Sequence, residues 1–378
     1  MGSTNEKLYW IWLSMIPGIG SRRFYSLIER FQNPRNVWES SNTEIFRMSG
    51  VIGRKAAENI IQYKENGLLE TARKILCSPE LSVYVLEDAE YPSQLKSIYD
   101  PPPVLYCKGQ LPKPDQALIS IVGSRRASRY GLQMAEKIAY DLALAGVGIV
   151  SGLARGIDTA AHRGALKANG YTLGVLGSGV DVVYPPENKG LVQQMQEQGA
   201  VISEYPLGTY PLAGNFPARN RIISGLSQGV LVIEAGSRSG ALITVDFALE
   251  QGRDVFALPG NINSPFSQGT NQLLKEGAKL VTSAEDILEE LNLACRNHTP
   301  QTQPQAIQLD FFETQIYNAL EDGEKQLEEL VRITGLDAGR ISAMLTMLEI
   351  KGIIKQLPGK IFVRQWKGSM EGKEWRKN

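Results

Sequence analysis

The chain has 378 residues, a length typical of about two or three domains with ample material for a large hydrophobic core. Apolar residues make up 43% and charged residues 21%, which fits a soluble globular protein. The 40 basic and 40 acidic residues cancel, which argues against a nucleic-acid binder with a basic surface overall but not against a local basic stripe.

Residues 1–80 have helical periodicity and contain two similar glycine turns. The first turn spans residues 16–23 and the second spans residues 49–55. In each, the glycines expose backbone N–H groups beside basic side chains, and apolar residues at helical spacing follow. The sequence therefore predicts a helical domain that resembles paired helix–hairpin–helix units.

Residues 81–292 alternate short apolar runs with helical segments. Continuous apolar strands are typical of a parallel sheet that is covered by helices on both faces. We predict a doubly wound α/β domain with strands at residues 83–86, 104–106, 118–122, 147–150, 172–176, 201–203, 230–233, 255–258 and 280–281.

The C-terminal part begins with a polar, Pro- and Gln-containing segment at residues 293–309, which we expect to be a flexible linker. Residues 310–366 follow the pattern of a winged helix, with three helices and a hairpin around Pro358. Residues 337–351 would be the recognition helix, whose polar positions offer Arg340, Ser342 and Thr346. Few of these groups read base edges, so we expect docking or weak backbone binding. Residues 367–378 read as a disordered tail.

Glycine-rich turns follow four of the predicted strands, at residues 123–128, 151–156, 177–179 and 236–240. The carboxyl ends of parallel strands share one edge, where ligands of such folds bind. Glycine lets an anion approach the backbone, and helix N-termini add partial positive charge. We infer a phosphate-binding edge; the alternative for Arg125 and Arg126 is a tight turn with a solvated arginine pair. No dinucleotide fingerprint or P-loop occurs, so we expect neither NAD nor ATP and no cofactor.

The segment at residues 216–224 adds an aromatic side chain to this edge. Phe216 could stack an unpaired base while Arg219 and Arg221 hold phosphates, or it could simply be a core residue. Glu204 and Glu234 both end strands. They could face the cleft as a carboxylate pair, but we favour ion pairs that position the two arginines.

Other candidate chemical groups indicate structure rather than catalysis. We expect Asp158 to cap a helix and His162 to have a structural role, because no Ser or Cys partner is evident. The three cysteines show no Cys-x-x-Cys spacing, which argues against a disulfide framework and a zinc site. No leader is evident, and the apolar run at residues 8–16 is too short to span a bilayer. We expect a cytoplasmic protein that is not an enzyme.

Taken together, the motifs of the α/β domain resemble the DNA-processing protein A family, also called DprA or Smf. The resemblance is carried by residues 91–95, 102–106, 122–125, 151–158, 177–185, 216–224, 238–240 and 252–260. It covers nearly the whole α/β domain, and the ordered set is specific. The helical and winged-helix regions look like accessory domains that many members carry.

The resemblance implies an extended Rossmann-like fold that binds single-stranded DNA and helps load RecA recombinase. It also implies protection of incoming strands during natural transformation, and a homodimer formed through this domain. The DNA-contacting residues that it implies are Ser124, Arg125, Phe216, Arg219, Asn220 and Arg221. The glycine-rich turns add Gly123, Arg126 and Arg238 as candidates. Relatives often carry Lys where this chain has Pro186, and we expect Lys189 to substitute for it.

Two other classes of function are alternatives to this one. A nucleotide phosphoribohydrolase would place Arg and Glu at similar strand ends, but its Pro-Gly-Gly-x-Gly-Thr loop is replaced here by residues 234–240. A transcription factor would act through the winged helix and would lose DNA binding if the residues after Gln305 were deleted.

Overall fold

The computed structural model describes residues 4–293, 309–321, 323–350, 353–357 and 359–364. The chain forms two compact units, Met1–His298 and Thr299–Asn378, which are described separately. The predicted linker and tail, apart from Leu293 and Leu309, fall outside the described residues, as does Pro358. No helix in the described ranges is long and apolar enough to cross a membrane.

The first unit begins with helices. They are α1 (Thr4–Ser14), α2 (Ser21–Phe31), α3 (Pro34–Glu39), α4 (Asn42–Arg47), α5 (Ser49–Ile52), α6 (Arg54–Glu65) and α7 (Leu68–Leu76). Gly18 and Gly53 have φ angles of 86° and 89°, which favour glycine, and they form the two predicted turns before α2 and α6. The helices share a core with the first two strands of the sheet, in which Trp12 and Phe24 pack in one cluster with Val83 and Tyr106.

A nine-stranded, mostly parallel sheet follows. Its strands are β1 (Ser82–Val85), β2 (Val104–Gly109), β3 (Leu118–Val122), β4 (Gly148–Ser151), β5 (Thr172–Val175), β6 (Ala200–Ser203), β7 (Gly229–Val232), β8 (Asp254–Ala257) and β9 (Lys279–Leu280). The strand order is β1-β2-β6-β5-β4-β3-β7-β8-β9. Strands β3 to β9 pair in parallel, whereas β1 and β2 are antiparallel additions at one edge. Each predicted strand is present within a few residues.

Helices cover both faces of the sheet, as predicted. They are α8 (Ser93–Lys96), α9 (Arg129–Leu144), α10 (Ile157–Lys167), α11 (Lys189–Gln198), α12 (Asn215–Leu226), α13 (Ala241–Glu250), α14 (Gln268–Lys275) and α15 (Ala284–Glu290). Side chains alternate along β3: Ile119 packs with α9, α10 and α15, whereas Val122 packs with α8, α12, α13 and α14. The strand order reverses between β3 and β7, which creates a switch point at their carboxyl ends.

The second unit is a winged helix, as predicted. It consists of α16 (Phe311–Ala319), β10 (Lys325–Gln326), α17 (Leu327–Thr334), α18 (Ala338–Ile350), β11 (Ile354–Leu357) and β12 (Ile361–Arg364), with sheet order β10-β12-β11. In α18, the Arg340 guanidinium lies 4.3 Å from the centre of the Phe312 ring. The Thr346 hydroxyl donates to the Ser342 carbonyl at 3.0 Å, so these side chains have partners inside the unit.

Candidate nucleic-acid interface

A cleft of about 1000 Å³ opens at the switch point. Its walls are the turn after β3, the turn after β7, the first turns of α12 and the residues that precede α14. The predicted site residues that line it are Gly123, Ser124, Arg125, Arg126, Phe216, Arg219, Asn220 and Arg238. Lys189 and Arg221 do not line it. The strand topology thus brings together residues that are more than 100 positions apart in the sequence.

The turn after β3 is held at both ends by hydrogen bonds. The Ser124 amide donates to the Glu234 carbonyl at 2.8 Å, and Ser128 caps α9 by accepting from the Gly131 amide at 3.1 Å. Gly123 allows this close approach, because a Cβ there would lie 2.9 Å from the Glu234 carbonyl oxygen. Arg125 and Arg126 project from this fixed turn and are exposed. Two guanidinium groups are therefore presented to solvent at the cleft wall.

Phe216 stands between an arginine and a second aromatic ring. The Arg125 guanidinium carbon lies 5.4 Å from the centre of the Phe216 ring, within the range of a cation–π contact. The Tyr184 ring lies 5.7 Å from that of Phe216, tilted by 43°. Tyr184 is 40% exposed and Phe216 is half-buried, and both line the cleft. Phe216 is thus part of the cleft wall rather than only of the core.

Tyr184 was missed by sequence reasoning, although it follows the turn after β5 and precedes Pro185. Its position in the sequence could have indicated a role, because an aromatic residue at the carboxyl edge of the sheet is a candidate platform on which a base stacks. The remaining predicted wall residues are Asn220, whose amide donates to the Gly240 carbonyl at 3.4 Å, and Arg238, which is exposed in the turn after β7.

Arg219 forms part of the cleft floor but is 4% exposed. Its guanidinium donates to the carbonyl of Gly152 at 2.9 Å and to that of Val175, which lie at the ends of β4 and β5. Burial lowers the pKa of Arg219 to about 10, although the nearby Asp158 carboxylate opposes this shift. Arg219 therefore remains charged at neutral pH, while its donors are largely engaged by the protein.

Arg221 points away from the cleft into a buried ion-pair network, which corrects the expectation that it contacts a phosphate. Its two terminal nitrogens donate to the two Glu204 carboxylate oxygens, each at 2.6 Å. It also donates to the Asp100 carbonyl at 2.9 Å and to the Ser21 hydroxyl at 3.3 Å. Burial opposes its charge, but the hydrogen bonds and the negative charge of Glu204 more than offset this effect and raise the pKa of Arg221. Because its donors are occupied by protein acceptors, Arg221 has a structural role.

The two glutamates do not form a carboxylate pair in the cleft. Glu204 binds Arg221, as the preferred interpretation proposed. Glu234 is 3% exposed and accepts from the amide and the hydroxyl of Ser128, so it positions the turn after β3 instead of Arg219. Neither carboxylate lines the cleft, and the arrangement expected of a phosphoribohydrolase is not formed there.

Asp158 is not the cap of its helix, contrary to prediction. Gly156 is the N-cap of α10, and the Asp158 carboxylate accepts from the amides of Gly152 and Ala154 at 3.2 and 3.3 Å in the preceding turn. Burial raises the pKa of Asp158 to about 6, although Arg219 opposes the shift. The Asp158 carboxyl group therefore lies in the cleft floor and stabilises the turn after β4.

His162 is fully buried and has the structural setting that was expected. Its Nδ1 lies 2.7 Å from the Thr172 hydroxyl on β5. Burial lowers the pKa of His162 to about 3, and the nearby Arg219 charge adds to this shift. Within the described residues, no cluster of His, Cys, Asp or Glu side chains is suited to hold a metal ion.

Lys189 is exposed at the first position of α11, and it does not line the cleft. The 3₁₀ turn Pro186–Asn188 precedes it, and the Asn188 amide fixes that turn by donating to the Leu153 carbonyl at 2.8 Å. Glu187 in this turn forms an ion pair with Arg155, which belongs to the turn after β4. Arg155 is thus a further cation at the rim of the cleft. Sequence reasoning named the turn at residues 151–156 but did not single out Arg155.

Comparison with known proteins agrees with this architecture. Residues 82–292 match the family model described as DNA recombination-mediator protein A, and residues 300–360 match the DprA winged helix domain. The chain is 35% identical to Protein Smf of Synechocystis, covering 96% of this chain and 100% of that protein.

Two solved structures are similar to this chain. DNA processing protein A from Streptococcus pneumoniae has 38% identity and a TM-score of 0.63, covering 77% of this chain and 99% of its own. The protein of the same name from Helicobacter pylori, whose structure concerns its single-stranded DNA binding mode, has 31% identity and a TM-score of 0.50, covering 56% of this chain and 96% of its own. The family model spans more than half of the chain, and the relatives align over most of their length, so the chain belongs to the DNA recombination-mediator protein A family.

Proposed function

We propose that this chain is a single-stranded-DNA-binding recombination mediator that acts in the cytoplasm without catalysis or a cofactor. It protects incoming strands and helps load RecA recombinase onto them, as in natural transformation, and it works as a homodimer formed through the Rossmann-like domain. The observation that carries the DNA-binding part is the cluster of Arg125, Phe216 and Tyr184 at the cleft wall.

The cluster offers the two kinds of contact that a single strand needs. Guanidinium groups bind phosphates with a planar fork of donors, and aromatic rings stack unpaired bases of any sequence. Arg126 and Arg238 add exposed positive charge to the same cleft. Bases in a duplex are already stacked and paired, so the rings favour a single strand over a duplex.

The relatives support this proposal from a different direction. The family is described as a recombination mediator, and the Helicobacter pylori relative binds single-stranded DNA. The proposed roles in RecA loading, in transformation and as a dimer rest on the resemblance of the motifs to the family.

Fluorescence anisotropy with a labelled oligonucleotide, free or annealed to its complement, tests the DNA-binding part. We expect tighter binding to the single strand, and an affinity that falls with salt by a log–log slope of about −0.7 per phosphate contact. The variant Arg125→Gln should bind more weakly to all sequences alike, because phosphate contacts do not read bases.

Arg163→Gln is the matched control, since Arg163 is exposed on α10 and does not line the cleft. Equal affinity for duplex and single strand, or a slope near zero, would contradict the proposal.

The RecA part has a separate test. RecA-dependent ATP hydrolysis on single-stranded DNA should begin sooner when this protein is present, and Arg125→Gln should reduce the effect. If the protein binds the strand but leaves the onset of hydrolysis unchanged, the mediator role fails while the DNA site stands.

A further inference from the structure

We propose that Arg155 is a further phosphate-binding residue at the rim of the cleft, and that Glu187 occupies it while the protein is free of DNA. The strand would displace Glu187 as it leaves the cleft past Tyr184. This inference rests on the proposed function and names an additional contact and an internal competitor for it.

A side hollow of the main cleft carries the inference. It is lined by Arg125, Arg155, Tyr184 and Phe216, with Arg219 behind them. Arg125, Tyr184 and Phe216 also line the main cleft, so the two spaces adjoin each other at these side chains. A strand that stacks a base on the rings therefore has Arg125 on one side and Arg155 within reach in the adjoining hollow.

Arg155 donates two hydrogen bonds to one carboxylate, and a phosphate could accept the same two hydrogen bonds. Its Nη2 donates to Glu187 Oε2 at 3.1 Å, and its Nε donates to Glu187 Oε1. The hydrogen bonds raise the pKa of Arg155 and lower that of Glu187, so both groups are charged at neutral pH. Parallel N–H donors that bind two carboxylate oxygens also bind two phosphate oxygens.

The pair is exposed and therefore exchangeable. The side chains of Arg155 and Glu187 are 60% and 50% exposed, and an exposed pair contributes little to stability. The Arg221–Glu204 pair is a useful contrast, since its side chains are 8% and 13% exposed and it cannot open to a ligand without leaving charges buried. Only the first pair can exchange a carboxylate for a phosphate at low cost.

The test measures single-stranded DNA affinity of the full chain as a function of salt in four proteins: wild type, Glu187→Gln, Arg155→Gln and the double variant. Glu187→Gln should tighten binding about two- to fivefold, the range that an exposed ion pair can suppress. The salt slope should stay the same as in the wild type, because the strand contacts Arg155 in both complexes and the number of neutralised phosphates does not change. Arg155→Gln should weaken binding about threefold and make the slope shallower.

The double variant decides the mechanism. If Glu187 acts by occupying Arg155, then Glu187→Gln should have no effect when Arg155 is already Gln. An undiminished gain in that background would show general repulsion of the strand and would overturn the inference. Glu136→Gln is the matched control, because Glu136 pairs with Lys167 in another partly exposed ion pair that does not line the cleft.

The outcomes separate this inference from the proposed function. Wild-type protein that fails to bind a single strand would overturn both. Wild-type protein that binds in a salt-dependent manner and weakens with Arg125→Gln, but is indifferent to Arg155→Gln and Glu187→Gln, would overturn this inference alone.

Discussion

At the scale of single residues, burial divides the arginines around the cleft into two kinds. Arg125, Arg126 and Arg238 are exposed, and their guanidinium groups are available to an anion. Arg219 and Arg221 are buried, and carbonyl or carboxylate oxygens engage their donors. A guanidinium that already satisfies buried acceptors cannot leave them cheaply, because the unpaired groups would carry a desolvation cost. The exposed arginines are therefore the ones that our proposal assigns to the anion contacts, whereas the buried ones hold the cleft in shape.

His162 makes stability sensitive to acid. Its folded-state pKa of about 3 lies below the ordinary value of 6.5, so between these values only the unfolded chain binds the proton. Stability is then lost as pH falls below about 6.5, by roughly 2 kcal/mol at about pH 5. Other groups also titrate in this range, so the test is a comparison between proteins. Urea denaturation at about pH 7.5 and pH 5 should show an acid-induced loss of stability that is smaller in His162→Gln than in the wild type by roughly 2 kcal/mol.

Asp158 acts in the opposite direction and serves as the control. Its folded-state pKa of about 6 lies above the ordinary 3.8, so the folded state binds the extra proton and gains stability as pH falls through that window. Asp158→Asn should therefore enlarge the loss between the two pH values. A loss that is identical in wild type and His162→Gln would show that His162 does not set the acid sensitivity.

At the scale of elements, α12 is the part of the cleft that the buried arginines hold. Arg219 connects it to the ends of β4 and β5. Arg221 connects it to Glu204 at the end of β6, to Asp100 before β2 and to Ser21 at the start of α2. Phe216 and Asn220 lie in the first turns of the same helix, so their placement in the cleft depends on these anchors.

Breaking the Arg221 anchor should destabilise the first unit strongly. Glu204→Gln removes the carboxylate that binds both terminal nitrogens and leaves the buried guanidinium with only the Asp100 carboxylate, 3.6 Å from Nε. Breaking a buried pair typically costs about 3–5 kcal/mol, and the remaining Asp100 charge places the expected loss at about 3 kcal/mol. Urea denaturation should show a loss of this size, whereas Glu136→Gln, which opens the partly exposed pair with Lys167, should change stability by about 0.5 kcal/mol or less. A small effect of Glu204→Gln would mean that the network does not anchor α12.

At the scale of the whole molecule, the sequence predicted the sheet well and the side-chain partners poorly. Apolar runs such as residues 118–122 indicate buried strands directly, and the parallel arrangement then places the turns after β3 and β7 at one edge. The burial of Arg221 in an ion-pair network could not be predicted from such local patterns. Its partners Asp100 and Ser21 lie 121 and 200 positions away, and no local pattern encodes such contacts. The composition of α12 also does not tell that Arg219 lies in the cleft floor while Arg221 enters the ion-pair network with Glu204.

The division into two compact units allows a test of where single-stranded DNA binds. The cleft residues all belong to the first unit, so a chain that ends at Gln305 should keep single-stranded DNA affinity within about twofold and keep the same salt slope. Anisotropy titrations of the full and shortened chains measure both quantities. Arg125→Gln in the shortened chain should weaken binding by the same factor as in the full chain, because phosphate contacts at separate sites add independently. Loss of binding on truncation would instead assign the DNA contact to the winged helix, as the transcription-factor interpretation requires.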